Sequence, residues 1–120
     1  MNQTSIEQDI QNKGLTAPRI TTEIVEANIV SEHYFTGDRA AFPHEVIAGS
    51  ETTSYEALRL LTFCILILRN GFTVTGTSAC ASPENFDAEI EQRIARQNAV
   101  AQVWPLMGYT LKQQLHTGGL

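Results

Sequence analysis

The sequence predicts a mainly α-helical protein with a minor β component, built as four to five helices around a long apolar central helix with one short strand or hairpin. Helix caps recur along the 120 residues. The central run FCILIL, at residues 63–68, has no polar position at helical spacing, so a helix there would leave no face for water. Because a small protein seldom surrounds such a helix alone, we expect a homo-oligomer.

The length favours a single small domain. Within it we predict an N-terminal arm with a short helix at 1–20, a variable loop at 37–50 and a core at 51–115. The net charge of -5, from 13 acidic and 8 basic side chains, argues against a sequence-independent nucleic-acid binder. We therefore expect no DNA or RNA partner, whereas a small anionic ligand held by a few arginines is compatible with this charge.

The chain also carries signals of its compartment. Two cysteines are too few for a disulfide scaffold and fit a reducing environment. The polar, acidic N-terminus lacks the features of a secretory signal, and the apolar run is shorter than the roughly 20 residues that cross a bilayer. We expect a cytoplasmic protein without membrane insertion.

Helix caps define the first two helices. The capping box TSIE and the Lys13-Gly14 stop predict a helix at about 5–13. Thr21 or Thr22 is a suitable N-cap for a second, amphipathic helix that ends near Gly37. The following residues, 36–50, have no sustained periodicity and predict a lid-like loop or a short edge strand at 45–48.

The central block follows. The capping box TSYE begins a third helix, predicted at 55–69, and Asn70-Gly71 supplies its left-handed stop. The alternation FTVT predicts a short strand at 72–75, and the Gly/Ser/Thr-rich residues after it predict a polar loop.

The last part of the chain predicts further helix. Ser82-Pro83-Glu84 is typical of a helix start. The four-residue spacing of Phe86, Ile90 and Ile94 predicts one apolar face of this fourth helix. Pro105 is expected to kink or end it before a last helical segment at 109–115.

The sequence offers little catalytic chemistry. A Cys80 nucleophile with His33, His44 or His116 as base is conceivable, since a helix N-terminus favours a thiolate. Nothing in the sequence places a histidine beside it, and a small loop residue is the favoured interpretation. The scattered Cys and His residues show no paired metal-ligand spacing. We predict no enzyme, no metal and no cofactor, with a Cys80-dependent activity as the alternative.

Two polar stretches suggest binding. Thr75-Gly76-Thr77-Ser78 offers hydroxyl and N–H groups ahead of a helix start, as many anion sites do, although it lacks the spacing of a glycine-rich phosphate loop. His33-Tyr34-Phe35 followed by Asp38-Arg39 combines aromatic faces with a cation, a composition suited to a base and a phosphate. The alternative is that these aromatics seal the core.

The segment LLTFCILILRNGFTVTGTSACASPENFD, with ARQNAV and VWPLMGY further on, resembles a family of small tailed-phage proteins named for genes 49 and 66 of their founding phages. The likeness extends from KGLTAPRIT and EHYF to the terminal helix and departs between Gly37 and Ser50. The resemblance implies a phage accessory protein, expressed in the cytoplasm of an infected host, for which the family provides no activity.

In size and design such proteins are similar to sponges that sequester host immune nucleotides, such as cyclic dinucleotides or ADP-ribose derivatives, without cleaving them. On this hypothesis the ligand lies between subunits. Aromatic rings stack on its base, arginines neutralise its phosphate, and polar side chains hydrogen-bond its phosphate or ribose. The predicted ligand-binding residues are Tyr34, Phe35, Arg39, Arg69, Asn70, Thr75, Ser78 and Asn85. The alternative is a structural or protein-interaction factor that binds through a helical face with Trp104 as anchor. A nucleotide-degrading enzyme is the third hypothesis.

Overall fold

A computed structural model describes residues 3–44 and 52–118 and shows an α+β fold. The predicted edge strand at 45–48 lies outside these residues. The elements are α1 Gln3–Asn12, α2 Thr22–Ala27, β1 Ile29–Thr36, α3 Gly37–Ala41, α4 Thr52–Arg59, β2 Leu61–Leu68, β3 Thr73–Ala79, a 3₁₀ turn Pro83–Asn85 and α5 Ala88–His116.

The three strands form an antiparallel sheet in the order β1-β2-β3, so the sheet is a simple meander. Cys64 in β2 lies between Tyr34 of β1 and Gly76 of β3. The long helix α5 runs antiparallel to β3 across one face of the sheet, since Glu91 contacts Ser78 and Gln102 contacts Thr75. The result is two layers, a sheet and its covering helices.

The prediction of a mainly α fold around a long apolar helix is wrong. Helix α4 ends at Arg59, and the apolar residues that follow it form the central strand β2. Its side chains alternate between buried and half-buried positions along the whole strand. Since both faces of β2 are apolar, the run lacks the polar alternation of a half-exposed strand, and periodicity alone cannot separate it from a buried helix.

Long-range strand pairing explains the other differences. The predicted second helix stops at Ala27, and β-branched and aromatic residues continue as β1. The predicted strand at 72–75 is confirmed, but it extends to Ala79, so the expected polar loop is part of β3. Asn70-Gly71 forms a hairpin turn rather than a helix stop: Gly71 has φ +88° and the Phe72 N–H donates to Asn70 Oδ1 at 2.9 Å.

The helices are predicted in part. Helix α1 confirms the short N-terminal helix, and the variable loop contains the short helix α3. The helix start predicted at 82–84 forms only a 3₁₀ turn. Helix α5 begins later, because Asp87 is its N-cap and accepts a hydrogen bond from the Ile90 N–H at 3.0 Å. Pro105 does not end α5, which continues to His116. Its side chain is exposed, so the ring occupies the solvent side of the helix.

The core depends on a close approach of α5 to β3. Ala95 and Ala99 are completely buried and lie over Gly76. A Cβ atom built on Gly76 would lie closer than 3.0 Å to the backbone of both alanines. The larger side chains of the core, including Val25, Leu66 and Val103, fill the space on either side of this contact.

Charged groups connect three elements at the rim of this core. The Arg96 guanidinium of α5 contacts Glu26 of α2 at 2.8 Å and Glu32 of β1 at 2.9 Å. Hydrogen bonds from Arg96 hold the pKa of Glu32 below its usual value of 4.5, and those to Glu26 and Glu32 raise the pKa of Arg96. Tyr34 donates to Glu32 at 3.0 Å, and burial first, then this hydrogen bond, raises the Tyr34 pKa.

We expect Gly76→Ala to destabilise the protein by about 3 kcal/mol or more, since the added methyl group would clash with helix backbone rather than with a flexible side chain. Chemical denaturation measures this free energy. Gly108→Ala is the matched control: nothing lies within 4 Å of its added Cβ, and alanine should stabilise the helix by about 0.5–1 kcal/mol. Equal effects of the two substitutions would contradict the close packing.

The Glu32 contact should depend on pH. Because its folded-state pKa is lowered, the stabilisation is present above about pH 4.5 and is lost as the pH falls through the folded pKa. Glu32→Gln should therefore be less stable than the wild type at neutral pH, by less than about 1 kcal/mol since the side chain is 40% exposed. The difference should shrink in acid, and denaturation curves that keep a constant difference down to pH ~3 would oppose this assignment.

Candidate functional site

A pocket of 480 Å³ lies at the end of the sheet where β1 stops, β2 starts and β3 stops. Because the strands are antiparallel, α3, α4 and the 3₁₀ turn meet at this one end. Its lining consists of two arginines, two carboxylates, two aromatic rings and smaller groups: Thr36, Asp38, Arg39, Tyr55, Glu56, Arg59, Leu60, Pro83 and Phe86. The volume falls in the range of small-molecule sites.

Asp38 is the most unusual group of this pocket. The residue is only 9% exposed, and its Oδ1 atom finds no hydrogen-bond partner within the described residues. Its position is fixed by close packing of α3 on α4, since a Cβ on the preceding Gly37 would lie 3.1 Å from Leu58 Cδ2. A buried carboxylate oxygen without a partner costs stability, so a donor that reaches it through local rearrangement of the pocket would be bound favourably. Thr62 Oγ1 and Trp104 Nε1 are also buried without a partner among the described residues, but these two residues do not line the pocket.

Apart from Phe86, which follows the 3₁₀ turn, the cationic and aromatic groups of the pocket come from α3 and α4. The Arg59 guanidinium carbon lies 5.9 Å from the centroid of the Tyr55 ring, and Arg59 Nη1 lies 3.2 Å from Glu56 Oε2. The Arg59 side chain is 54% exposed, and Arg39 is exposed on α3. Phe42 packs edge-on against Tyr55, with ring centroids 6.2 Å apart, and holds that ring in place.

These groups can recognise a molecule with three chemical features. The guanidinium groups suit a phosphate or carboxylate, the Asp38 oxygen suits a hydroxyl or amine donor, and the rings of Tyr55 and Phe86 suit a planar base. Arginine and carboxylate are balanced in the lining, so the site favours an anion that also donates hydrogen bonds over a bare anion. A nucleotide combines all three features.

The structure separates the cationic residues that the sequence suggested. Arg39 lines the pocket, whereas Arg69 and Asn70 lie in the β2–β3 turn at the other end of the sheet. The eight residues of β2 place the two ends roughly 23 Å apart. Arg69 is also engaged locally, since its Nε donates to the Ala27 carbonyl at 2.9 Å. One small ligand cannot contact both ends within one chain.

The two aromatic candidates point to opposite faces of β1. Tyr34 is paired with the buried Cys64 and packs against the core under the helices. Burial raises the pKa of the Cys64 thiol. Phe35 instead stacks on Phe63 on the other face, with ring centroids 5.1 Å apart and planes 15° apart. The interpretation that these aromatics seal the fold agrees with these contacts.

The remaining predicted residues are not in one place either. Ser78 is buried under α5 and donates to the buried Glu91 Oε1 at 2.6 Å. Thr75 is exposed on β3, and its carbonyl accepts from Gln102 Nε2 at 2.5 Å. Asn85 is exposed in the 3₁₀ turn near the pocket. The Gly/Ser/Thr stretch is therefore an edge strand whose backbone α5 covers.

The groups proposed for catalysis lie apart in the fold. The Cys80 thiol donates to the Ser82 carbonyl at 3.2 Å, and His33 pairs with Ser31 on β1. His116 lies at the C-terminal end of α5, past the opposite end of the sheet. Across residues 3–44 and 52–118, His, Cys, Asp and Glu do not cluster in groups of three or more able to hold a metal ion. None of the helices in those same ranges combines the length and apolar character needed to cross a membrane.

Sequence reasoning named Asp38 only as the neighbour of Arg39, and it missed Tyr55, Arg59 and Phe86 as ligand contacts. Tyr55 and Arg59 are four residues apart, a spacing that places them on one helix face and could have suggested an aromatic-cation pair. No local pattern shows that Asp38 is buried, because that depends on the packing of α3 against α4.

The fold and site define a small α+β protein with a helix-covered meander and a pocket at one end of its sheet. Residues 20–115 match the Phage protein (N4 Gp49/phage Sf6 gene 66) family, which covers more than half of the chain. The chain belongs to this family, so the resemblance found in the sequence is confirmed. No similar curated protein and no similar solved structure was found.

Ser78 should behave as a structural residue. Ser78→Ala should cost about 1–3 kcal/mol of unfolding free energy, because it leaves the buried Glu91 without its 2.6 Å partner. The double variant Ser78→Ala with Glu91→Met should be less destabilised than the single one, since both polar partners are removed together. Thermal denaturation tests this order, and a Ser78→Ala protein of unchanged stability would contradict it.

Proposed function

We propose that this phage protein binds a small nucleotide, of the class that serves host immunity as a second messenger, and sequesters it without cleavage to counter antiphage defence. The observation that carries the proposal is the Asp38 oxygen, which finds no partner among the described residues, in a 480 Å³ pocket that two arginines also line. Membership of a phage family supports a role during infection. Cyclic dinucleotides and ADP-ribose derivatives carry phosphates, ribose hydroxyls and planar bases in one molecule.

The roles of the pocket residues follow from their chemistry. Arg39 and Arg59 pair with phosphate oxygens, and Arg59 gives up part of its contact with Glu56 to do so. Asp38 accepts from a ribose hydroxyl or a base amine. The rings of Tyr55 and Phe86 flank the base. Of the residues predicted from the sequence, Arg39 belongs to this site directly and Asn85 lies near it.

Calorimetric titration of the full chain with a panel of cyclic dinucleotides and ADP-ribose derivatives tests this function. We expect one class to bind, and mass spectrometry after heat denaturation should recover it intact. Arg59→Gln should weaken binding about tenfold to 100-fold, as expected for a charge-assisted hydrogen bond, and Asp38→Asn should change the ranking of ligands that differ in a hydroxyl or amine.

Arg93→Gln is the matched control, because Arg93 is an exposed arginine on α5 away from the pocket. It removes the same charge and should leave binding unchanged within about twofold. Absence of binding across the panel would refute the proposal. Equal losses of affinity in Arg59→Gln and Arg93→Gln would show that the ligand does not bind in this pocket. Recovery of cleaved ligand would instead favour the enzyme hypothesis.

A protein-interaction factor is the second candidate, and one observation favours it. Beyond the sheet, α5 and α2 border a groove of 520 Å³ that contains Ile24, Met107 and Leu111. On the same part of α5, Tyr109 and Leu115 are 74% and 54% exposed. A photo-reactive group at position 109 should crosslink one defined phage or host protein during infection, whereas the same group at the exposed Gln92 should not.

A further inference from the structure

One face of the sheet carries no helix layer from α2 or α5, since both pack on the other face. We call it the open face. Strand pairing and the stack of Phe35 on Phe63 identify its members. The open face consists of Ser31, His33 and Phe35 of β1, Leu61, Phe63, Ile65 and Ile67 of β2, and Thr73, Thr75, Thr77 and Ala79 of β3.

The open face has an apolar stripe along its middle strand and uncharged polar groups on its flanks. None of its members is Asp, Glu, Lys or Arg, although 18% of the chain is charged. The β2 members are only half-buried, so water reaches an apolar stripe. A strand face that is meant to remain in water normally carries polar or charged side chains.

The charge of the chain narrows the choice of partner. Two copies with a net charge of -5 repel each other, and a face without carboxylates keeps this repulsion low at the contact. A basic partner would be matched by acidic groups and a nucleic acid by basic groups, and the open face has neither. A second copy presents the same neutral face.

The arrangement of the face also suits two-fold symmetry. A rotation axis parallel to β2 places the apolar stripe of one copy on the stripe of the other. By the strand register, the same rotation places Thr73 and Thr75 of β3 against Ser31 and His33 of β1, and Thr77 against Phe35. A single operation therefore matches the apolar stripe with itself and brings two of the three threonines to polar partners.

The shape of the chain fits the same assembly. Its smallest dimension is 18 Å, which corresponds to one sheet and one helix layer. We propose that two copies pack their open faces together into a helix-sheet-sheet-helix sandwich, independently of any nucleotide.

The estimated area of this interface indicates a weak dimer. Two strands of eight residues and one of seven cover at most roughly 26 by 14 Å, a footprint of roughly 370 Å² per copy. A standard stable interface buries about 800 Å² per partner, so this contact is of the weak, concentration-dependent kind. The dimer is therefore expected to dissociate on dilution rather than to be obligate.

Sedimentation equilibrium of the full chain, from about 1 µM to about 1 mM, tests the proposal over the range expected of a weak interface. The wild type should change from monomer to dimer across this range. Thr75→Lys should raise the dissociation constant about tenfold or more, because it buries an unpaired ammonium group. Thr75 is exposed in the single chain, so the substitution should leave the fold intact.

Gln92→Lys is the matched control, since it adds the same charge at an exposed position of α5. It reduces the repulsion between copies and should leave the dimer unchanged or slightly stronger. Ile65→Thr, which shortens the stripe without adding charge, should weaken the dimer about tenfold. A monomer at every concentration would overturn the proposal, and so would a dimer that Thr75→Lys and Ile65→Thr leave unchanged.

Discussion

The close contact of α5 with β3 at Gly76 is the constraint on which the rest of the structure depends. The absence of a side chain there lets Ala95 and Ala99 approach the strand backbone. Once the helix lies this close, Asn98 and Gln102 reach the carbonyls of Thr77 and Thr75 at 2.8 and 2.5 Å and cover the edge of the sheet. The same contact brings Glu91 to Ser78 and Arg96 to β1.

The antiparallel meander determines which functional side chains lie close together. Antiparallel strands bring α3, α4 and the 3₁₀ turn to one end of the sheet, and the pocket lies among them. The opposite end holds the Asn70-Gly71 turn, α2 and the extension of α5, and the 520 Å³ groove that Arg69 and Asn70 line lies among them. Residues far apart in sequence, such as Asp38 and Phe86, therefore share a site. Arg39 and Arg69, which the sequence suggested as alternative phosphate contacts, are separated by the length of a strand.

The helix-covered face of the sheet and the pocket at its end use polar groups differently. Under α5, Ser78 and Glu91 satisfy each other in the core. At the pocket, the Asp38 oxygen is buried without such a partner within the described residues. This contrast separates a polar group that stabilises the fold from one that is available to a ligand, although both belong to residue types that the sequence offers equally as site candidates. Burial and partner geometry, not residue type, make the distinction.

The sequence by itself determined the family, the first helix, the strand around Val74 and a helix in the region of α5. These depend on local caps, short-range periodicity and a specific motif block. The sequence was wrong about which face of that helix is buried, since Ile90 and Ile94 are 51% and 39% exposed. Only the tertiary structure decided that residues 61–68 form a strand, because a run that is apolar on both faces fits a buried helix and a central strand equally well. Pairing with β1 and β3 supplies the backbone hydrogen bonds that favour the strand. The pocket was likewise beyond the sequence, since it depends on which loop ends the meander brings together.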